Sequence, residues 1–508
     1  MKRLLSAILA TLMILSLCAC AGGGQSGEGL EEGTVVKMTV PSSPSWPYRE
    51  DWKVWEYIEE GSGATLDIQS IPTSDASTKY SLIFAAHETV PDVAVFTSNT
   101  APLKYARQGA LVAFDDLASK MPAYSAWLDG LSEEIYNSSV KTRKAADGKI
   151  YYSPLTGREG MTRMRCWMYR EDIFEKHNLE VPTTFDELYE VLKKLKALYP
   201  DSYPYVVRGN FDTFNVVGSS FDKWWQTEVY YDYDDEEWRW GATEDTMREV
   251  ILFYKKLIDE KLMPSDFFTL NVTAWEELIT TNRGFIMPHF TTRLDYFDPF
   301  VGDKIPGFKF TAFAPPVANP EKGAPLVMRS DIELLGFSIP NSGDDKRIEN
   351  AAKLVDWFYT DEAYELMSWG KEGETYEVVD GKKQFITDDA GNGPSTLYGF
   401  QLHGTFTRID PEAAFATQTE RTRDTRELII NHTLPDFNPT TYLDFTEEEE
   451  KVKSEIETSC HMYTEEMVLK MLLGQEPIDK LDEMKATLEE MRVNELLDIY
   501  KTAYDRIK

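Results

Sequence analysis

Residues 34–40 (TVVKMTV) alternate in polarity and are β-branched, which predicts a first strand ending at Pro41. The turn-rich stretch 41–47 follows, then an aromatic helix candidate at 48–60 and a second strand at 64–71. A helix over 78–87 and a short apolar strand in PDVAVF, 91–96, continue the pattern. Strands alternating with helices imply an α/β lobe on a largely parallel sheet. The turn dipeptide Asp147-Gly148 breaks this rhythm, ahead of strand-like stretches at 149–153 and 163–169. The clearest helix begins after Val181-Pro182. There Thr184 and Glu187 have capping-box spacing, and Phe185, Leu188, Val191, Leu192, Leu195 and Leu198 line one face up to Pro200. A strand at 238–241 leaves an acidic turn and precedes a helix over 243–261. Short strands are predicted at 284–287, 308–313 and 334–339, then an amphipathic helix at 347–359 and another from Thr360 to near Gly370. The C-terminal region is strongly helical: Thr446 and Glu449 form a second capping box, Gly474 closes that helix, and Pro477 opens a final pair.

The N-terminus reads differently. Lys2 and Arg3 precede an apolar stretch, 4–17, interrupted by Ser6, Thr11 and Ser16. That is the length of a signal-peptide core and too short to span a bilayer. It ends in Leu17-Cys18-Ala19-Cys20, which resembles a bacterial lipobox with Cys20 as the lipid-bearing residue. The expectation is a signal peptide at 1–19 and a flexible Gly/Ser/Glu tether at 20–33. An ordinary secretory peptide is the alternative.

At 508 residues the chain is too long for one core, so at least two lobes are expected. Aromatics make up 13%, with 12 Trp and 26 Tyr, and flat rings with polar edges suit sugars. The net charge of −33 opposes nucleic acid and polyanionic ligands, and also accounts for a soluble surface kept monomeric by repulsion. Beyond the leader only Cys166 and Cys460 remain, either as one disulfide or as two buried thiols. Neither they nor the six histidines have metal-site spacing, so no metal and no cofactor are expected. The acidic run 232–237 lacks the glycine and terminal glutamate of a calcium loop and reads as a hairpin tip.

Several stretches carry a family likeness. They are DGKIYYSP (147–154), RCWMYREDIFEKHNLEVPTTFDELYEVLKKLK (165–196), TTNRGFIMPHF (280–290), the long segment 336–382 that begins GFSIPNSGDDK, and DEMKATLEEMRVNELLDIYKTAYDR (482–506). In order and combination they resemble the family 1 extracellular solute-binding proteins, in the lipoprotein branch that serves carbohydrate importers. The resemblance implies an α/β, two-lobed periplasmic-binding-protein-like fold (type II), with a multi-strand hinge and a helical C-terminus. It puts chain crossings near 151–154, 285–289 and 336–341, an N-lobe of 34–153 plus 290–337, and a C-lobe of 154–289 plus 338–508. It implies capture of a carbohydrate in the interlobe cleft and delivery to ABC importer permease subunits. The protein would be a monomer held to the membrane by its lipid anchor alone, with no nucleic-acid partner and no enzymatic activity. Many members of the branch carry an Asp-rich, calcium-like loop where this chain has Tyr-Pro-Asp-Ser-Tyr-Pro, 199–204. A lone Asp201 cannot supply the six to eight oxygens that calcium takes, so the ion is not carried over.

By the same resemblance, certain residues would reach the cleft. Trp46 and Tyr48 follow the first strand, although packing on Trp52 and Trp55 is the alternative. Asp75 and Asn99 stand after strands, as donors and acceptors for sugar hydroxyls or as turn and cap residues. Of Trp224 and Trp225, one belongs to a core, and Trp225 is the candidate for the cleft. His289 and Arg293 follow the returning strand, and Trp369 precedes Gly370. Arg163, Arg165 and Trp167 alternate, so they share a sheet face; Arg165 would bind an acidic sugar or pair with a carboxylate. Two other readings stay open. One is binding of a peptide or another small solute. The other is a surface glycoside hydrolase with paired carboxylates, for which no G-x-S-x-G, H-E-x-x-H or P-loop pattern offers support.

Overall fold

The computed structural model describes residues 29–42, 47–86, 90–96, 100–157, 165–209, 211–291, 293–301, 304–319, 321, 335–388, 393–400, 406–433, 440 and 442–508. Cys20, Trp46, Asn99 and Arg163 therefore lie outside the described residues, as do the leader and most of the tether.

The chain opens with β1 (Thr34–Ser42), α1 (Lys53–Ser62), β2 (Ala64–Pro72), α2 (Ala76–Ala85), β3 (Val93–Val95), α3 (Thr100–Arg107) and β4 (Leu111–Val112). It then forms β5 (Arg165–Arg170), α4 (Glu171–His177), α5 (Phe185–Leu198), α6 (Asp212–Gly218), β6 (Val229–Asp232), β7 (Glu237–Trp240), α7 (Asp245–Asp259), α8 (Val272–Thr280), β8 (Ile286–Phe290) and β9 (Phe310–Phe313). The return comprises β10 (Phe337–Pro340), α9 (Asp345–Trp357), α10 (Asp361–Ser368), β11 (Tyr376–Val379) and β12 (Lys382–Phe385). Of the remaining helices, the longer ones are α11 (Glu420–His432), α12 (Glu447–Leu472), α13 (Lys480–Glu490) and α14 (Val493–Asp505).

Lobe one is built on a five-stranded sheet in the order β2-β1-β3-β10-β4. β1 pairs in parallel with β2 along its length and with β3 through Met38 and Thr39, while β10 runs antiparallel between β3 and β4. Strand alternation sorts the two faces. Val93 and Val95 pack with α1 and α9, whereas Ala94 joins Tyr80 and Phe84 of α2 and Tyr105 of α3. β1 continues past the expected stop at Pro41 to Ser42. Pro41 lies beyond the part of β1 that pairs with β3, where its missing N–H is tolerated.

Lobe two has a three-stranded antiparallel sheet, β8-β5-β9, with Tyr205 bridging in parallel to Ile286. Trp167 of β5 faces α5 and α7, while Cys166 and Met168 face α8. Helices α12 to α14 complete the first of these cores through Ile456, Val468, Leu481, Leu496 and Tyr500. Both capping boxes, Thr184 with Glu187 and Thr446 with Glu449, are formed. The acidic run 232–237 is the tip of the β6–β7 hairpin, where Arg239 pairs with Asp232 and Asp235. Cys166 and Cys460 are separate, buried thiols. Among the described residues no helix is long and apolar enough to cross a membrane.

The partition between lobes differs from the expected one. β9 pairs with β5, so this part of 290–337 belongs to lobe two rather than the N-lobe. Helices α9 and α10, and after them Phe400, Phe406, Ile409 and Ala414, pack on the lobe-one sheet, so this part of 338–508 is not C-lobe. The stretch 285–289 is an inner part of lobe two and not a crossing. Helix periodicity was readable, but which sheet a helix covers is decided by pairings distant in sequence. Gly157, Leu335 and Ala416 lie on the lobe-one side, whereas Arg165, Ala318 and Thr419 lie on the lobe-two side, the Thr419 hydroxyl donating to Asp295. On the lobe-one side the three paths lie against one another. Ser153 N–H donates to Phe337 O at 2.8 Å, Thr156 N–H to Thr407 O at 2.8 Å, and Ile409 N–H to Thr156 O at 3.1 Å. The approach is close enough to require glycine: a Cβ at Gly157 would lie 1.7 Å from Ile409 O, and one at Gly336 2.4 Å from Ser153 O.

Candidate functional site

Register brings three of the sequence candidates together at the end of the lobe-two sheet where the chain enters. Arg165 opens β5 opposite Phe290, and Cys166 lies opposite His289. On the other side of β8, the parallel bridge of Tyr205 to Ile286 brings Arg208 off the end of its segment towards His289. Arg293 stands in the short helix Arg293–Tyr296 just after β8. Trp275 of α8 stacks on His289, with ring centroids 4.9 Å apart and planes at 27°. A cavity of about 420 Å³ opens here, lined by Arg165, Arg208, Asp212, Phe268, His289 and Phe290.

The charges are unevenly matched. Arg165 pairs with Asp212 at 3.2 Å and lies over the Phe290 ring at 4.4 Å. Arg293 pairs with Glu276 at 3.5 Å and covers Tyr296 at 3.9 Å. Arg208 lies 5.2 Å from the Trp275 ring. Among the described residues it has no ion pair and no hydrogen bond, and its Nε is buried without a partner, as is that of Arg165. Burial first, and then the neighbouring guanidiniums of Arg293 and Arg165, hold the Arg208 pKa below its ordinary value. His289 is pushed down to about 3 by burial and by Arg293, Arg165 and Arg208, so it is neutral. Phe290 N–H donates to His289 Nδ1 at 2.8 Å, which leaves the ring proton on Nε2. The arrangement presents hydrogen-bond donors beside aromatic faces, and none of its groups is set up as a nucleophile.

A second cavity, about 580 Å³, lies between the lobes. Thr73, Ser77 and Arg107 contribute from the strand ends and helices of lobe one, and Asp444, Lys453 and Tyr500 from lobe two. Asp444 bridges the lobes: its carboxylate pairs with Arg107 and accepts from Ala146 N–H at 2.6 Å. Asp75 heads α2 near this wall, exposed, with no side-chain cap bond; its carboxylate accepts from Ser74 Oγ at 3.1 Å. Tyr48 is half-buried on Trp52 and Trp55, with centroids at 6.3 and 5.8 Å.

Two candidates are corrected. Trp225 is 1% exposed in the lobe-two core, its ring against Gly218 and its Nε1–H donating to Gly241 O at 3.1 Å. Trp369 is 2% exposed in lobe one, stacked on Phe385 at 4.8 Å, with Nε1–H donating to Asp410 at 2.8 Å. Both indoles have their one donor satisfied inside a core and offer no ring face to a ligand. Sequence reading missed Arg208, Trp275 and Phe290. The signal for Arg208 was there: an arginine ending the apolar run Tyr205-Val206-Val207, ahead of Gly209.

Residues 50–365 match the family described as bacterial extracellular solute-binding protein. Lipoprotein LipO of Bacillus subtilis is 23% identical over 299 residues, covering 56% of this chain and 55% of its own length. The chain thus aligns with about half of that curated relative. Among solved structures, the alginate-binding protein AlgQ2 superposes with a TM-score of 0.71 at 21% identity, over 94% of this chain and 99% of that one. The Streptococcus pneumoniae ABC-transporter substrate-binding protein FusA, in complex with kestose, gives 0.72 at 18% identity, over 93% and 99%. Likeness at these identities establishes the two-lobed fold.

Proposed function

Because the chain belongs to the bacterial extracellular solute-binding protein family, we propose that it captures a carbohydrate between its lobes and hands it to the permease of an ABC importer. Lipid on Cys20 would hold it, as a monomer, at the outer face of the cytoplasmic membrane, a reading supported by the lipobox-like leader and the lipoprotein relative. The observation that carries the ligand reading is the cavity at the head of β5 and β8, where guanidinium donors stand beside the exposed edge of Phe290. Sugars are recognised in this way, by aromatic faces under the ring and fixed donors at its hydroxyls. AlgQ2, an alginate-binding protein, and FusA, in complex with kestose, add support. Tyr48, Asp75, Arg165, His289 and Arg293 are the residues we assign to ligand contact, with Trp46 and Asn99 kept from the sequence. Three adjacent crossings suit a hinge that closes the lobes on the ligand.

The test is a thermal-shift screen of the mature protein with oligosaccharides, short peptides and small solutes. At about 100 times Kd a true ligand stabilises by about 2.7 kcal/mol. Stabilisation by oligosaccharides without hydrolysis products supports the proposal; a response to peptides alone overturns it. In cells, Cys20→Ser should release the protein from membranes, because stable anchoring takes two acyl chains.

A further inference from the structure

The cavity at the head of the lobe-two sheet gathers positive charge in a chain whose net charge is −33. Among the described residues, Arg165, Arg208 and Arg293 face two carboxylates, Asp212 and Glu276, which leaves one positive charge over (three minus two). His289 adds none, because three guanidiniums and burial keep it neutral. The surplus belongs to Arg208, the one guanidinium of the three with no ion pair among the described residues. A half-buried guanidinium without an acceptor is costly, and an anion seated on it removes that cost. Two donors, Nε of Arg208 and Nε of Arg165, are buried without partners beside it. Guanidinium groups match carboxylates by paired, parallel hydrogen bonds. Phe290, 36% exposed, and Phe268 supply ring faces at the same cavity.

We propose that this cavity takes the single carboxylate of an acidic sugar, a uronic-acid residue of a short oligosaccharide, with Arg208 as its ion-pair partner and Arg165 beside it. The assignment rests on the carbohydrate reading above and narrows it. One surplus charge matches a monoanion, whereas a phosphate dianion would leave the site net negative. The protein's acidic surface repels long polyanions, so the ligand is a short fragment.

The experiment is calorimetric titration of the mature protein with trisaccharides that carry one uronic-acid residue, with their methyl esters, and with inorganic phosphate. The acids should bind about 30-fold or more tightly than the esters, the loss expected when one partner of a desolvated charge pair is removed. Arg208→Gln should erase that preference. It should also leave the melting temperature of the free protein unchanged or raised, since an unpaired charge is removed; a purely structural arginine would lower it. Esters that bind as tightly as acids overturn the acidic-sugar assignment and leave the carbohydrate reading standing. Phosphate that binds as tightly as the acids, or an Arg208→Gln variant that keeps the preference, overturns it as well. Binding of neither acids nor esters, with peptides bound instead, overturns both.

Discussion

Trp225→Ala is expected to cost lobe two about 3–5 kcal/mol, the range for removing a large aromatic ring from a core. The geometry sharpens this into a test of one contact. A Cβ built on Gly218 would lie 2.1 Å from Trp225 Cε3 and 2.2 Å from Cζ3, so the ring occupies the space a side chain at 218 would need. Gly218→Ala alone therefore overpacks the core by about 1–3 kcal/mol. Set against this is a gain of about 0.5–1 kcal/mol from replacing glycine in a helix. With Trp225 already Ala, the same methyl group enters a cavity and only the helix gain remains. The two substitutions should thus couple by about 1–3 kcal/mol, the double variant being more stable than the sum of the singles predicts. Guanidinium unfolding, following the lobe-two transition, measures the four stabilities. Calorimetry on folded Trp225→Ala should show ligand affinity within a factor of two or so of wild type, since the indole does not reach a ligand. Additivity within about 0.5 kcal/mol would refute the packing argument. A folded Trp225→Ala that loses ligand more than tenfold would return the ring to the cleft.

His289 carries a pH signature: its folded pKa of about 3 lies below the ordinary 6.5, so the unfolded chain takes up the proton first as pH falls. Its contribution is complete above pH 6.5 and is lost towards pH 3, amounting to about 2 kcal/mol between pH 7 and 5. His289→Gln, which leaves Arg165, Arg208, Arg293, Glu276 and Asp212 in place, should flatten that slope in urea titrations; an unchanged slope sinks the assignment. Asp444→Ala removes the interlobe carboxylate, 3% exposed, and should destabilise by about 3–5 kcal/mol while widening the solution scattering envelope. If neither the stability nor the envelope moves, Asp444 does not tie the lobes together. Millimolar calcium should leave the melting temperature unchanged, because Lys196 already bonds Ser202 O at 2.6 Å and Arg283 bonds Asp201 O at 3.2 Å. A calcium-induced rise that vanishes in Asp201→Ala would contradict this.

Local patterns were legible where local physics decides. The two capping boxes, the apolar face of α5 and the buried strands announced themselves through spacing alone. Arg165, His289 and Arg293 were legible as strand-end polar residues, and the antiparallel register of β5 with β8 brings them together. Trp225 and Trp369 were not, because a tryptophan beside a glycine reads the same whether the glycine opens a loop or makes room for the ring. The lobe partition was also hidden. α9 has one apolar stripe whichever sheet it covers, and that choice rests on β10 finding β3 and β4. Arg208 escaped because the segment before it pairs through a single bridge, too short to read as a strand.

Lobe two cannot finish its core until the last residues of the chain exist. Its apolar interior runs from Trp167 to Ala503, and Leu443 onward supplies one wall of it. Lobe one is no less dependent on later sequence: without Phe337–Pro340, β3 and β4 have no strand between them. Closing such long loops costs little extra equilibrium stability, since the entropy grows only with the logarithm of length. It does slow folding, because distant contacts must be found before they are rewarded. A chain emerging N-terminus first would therefore leave both lobes open until these later segments have appeared.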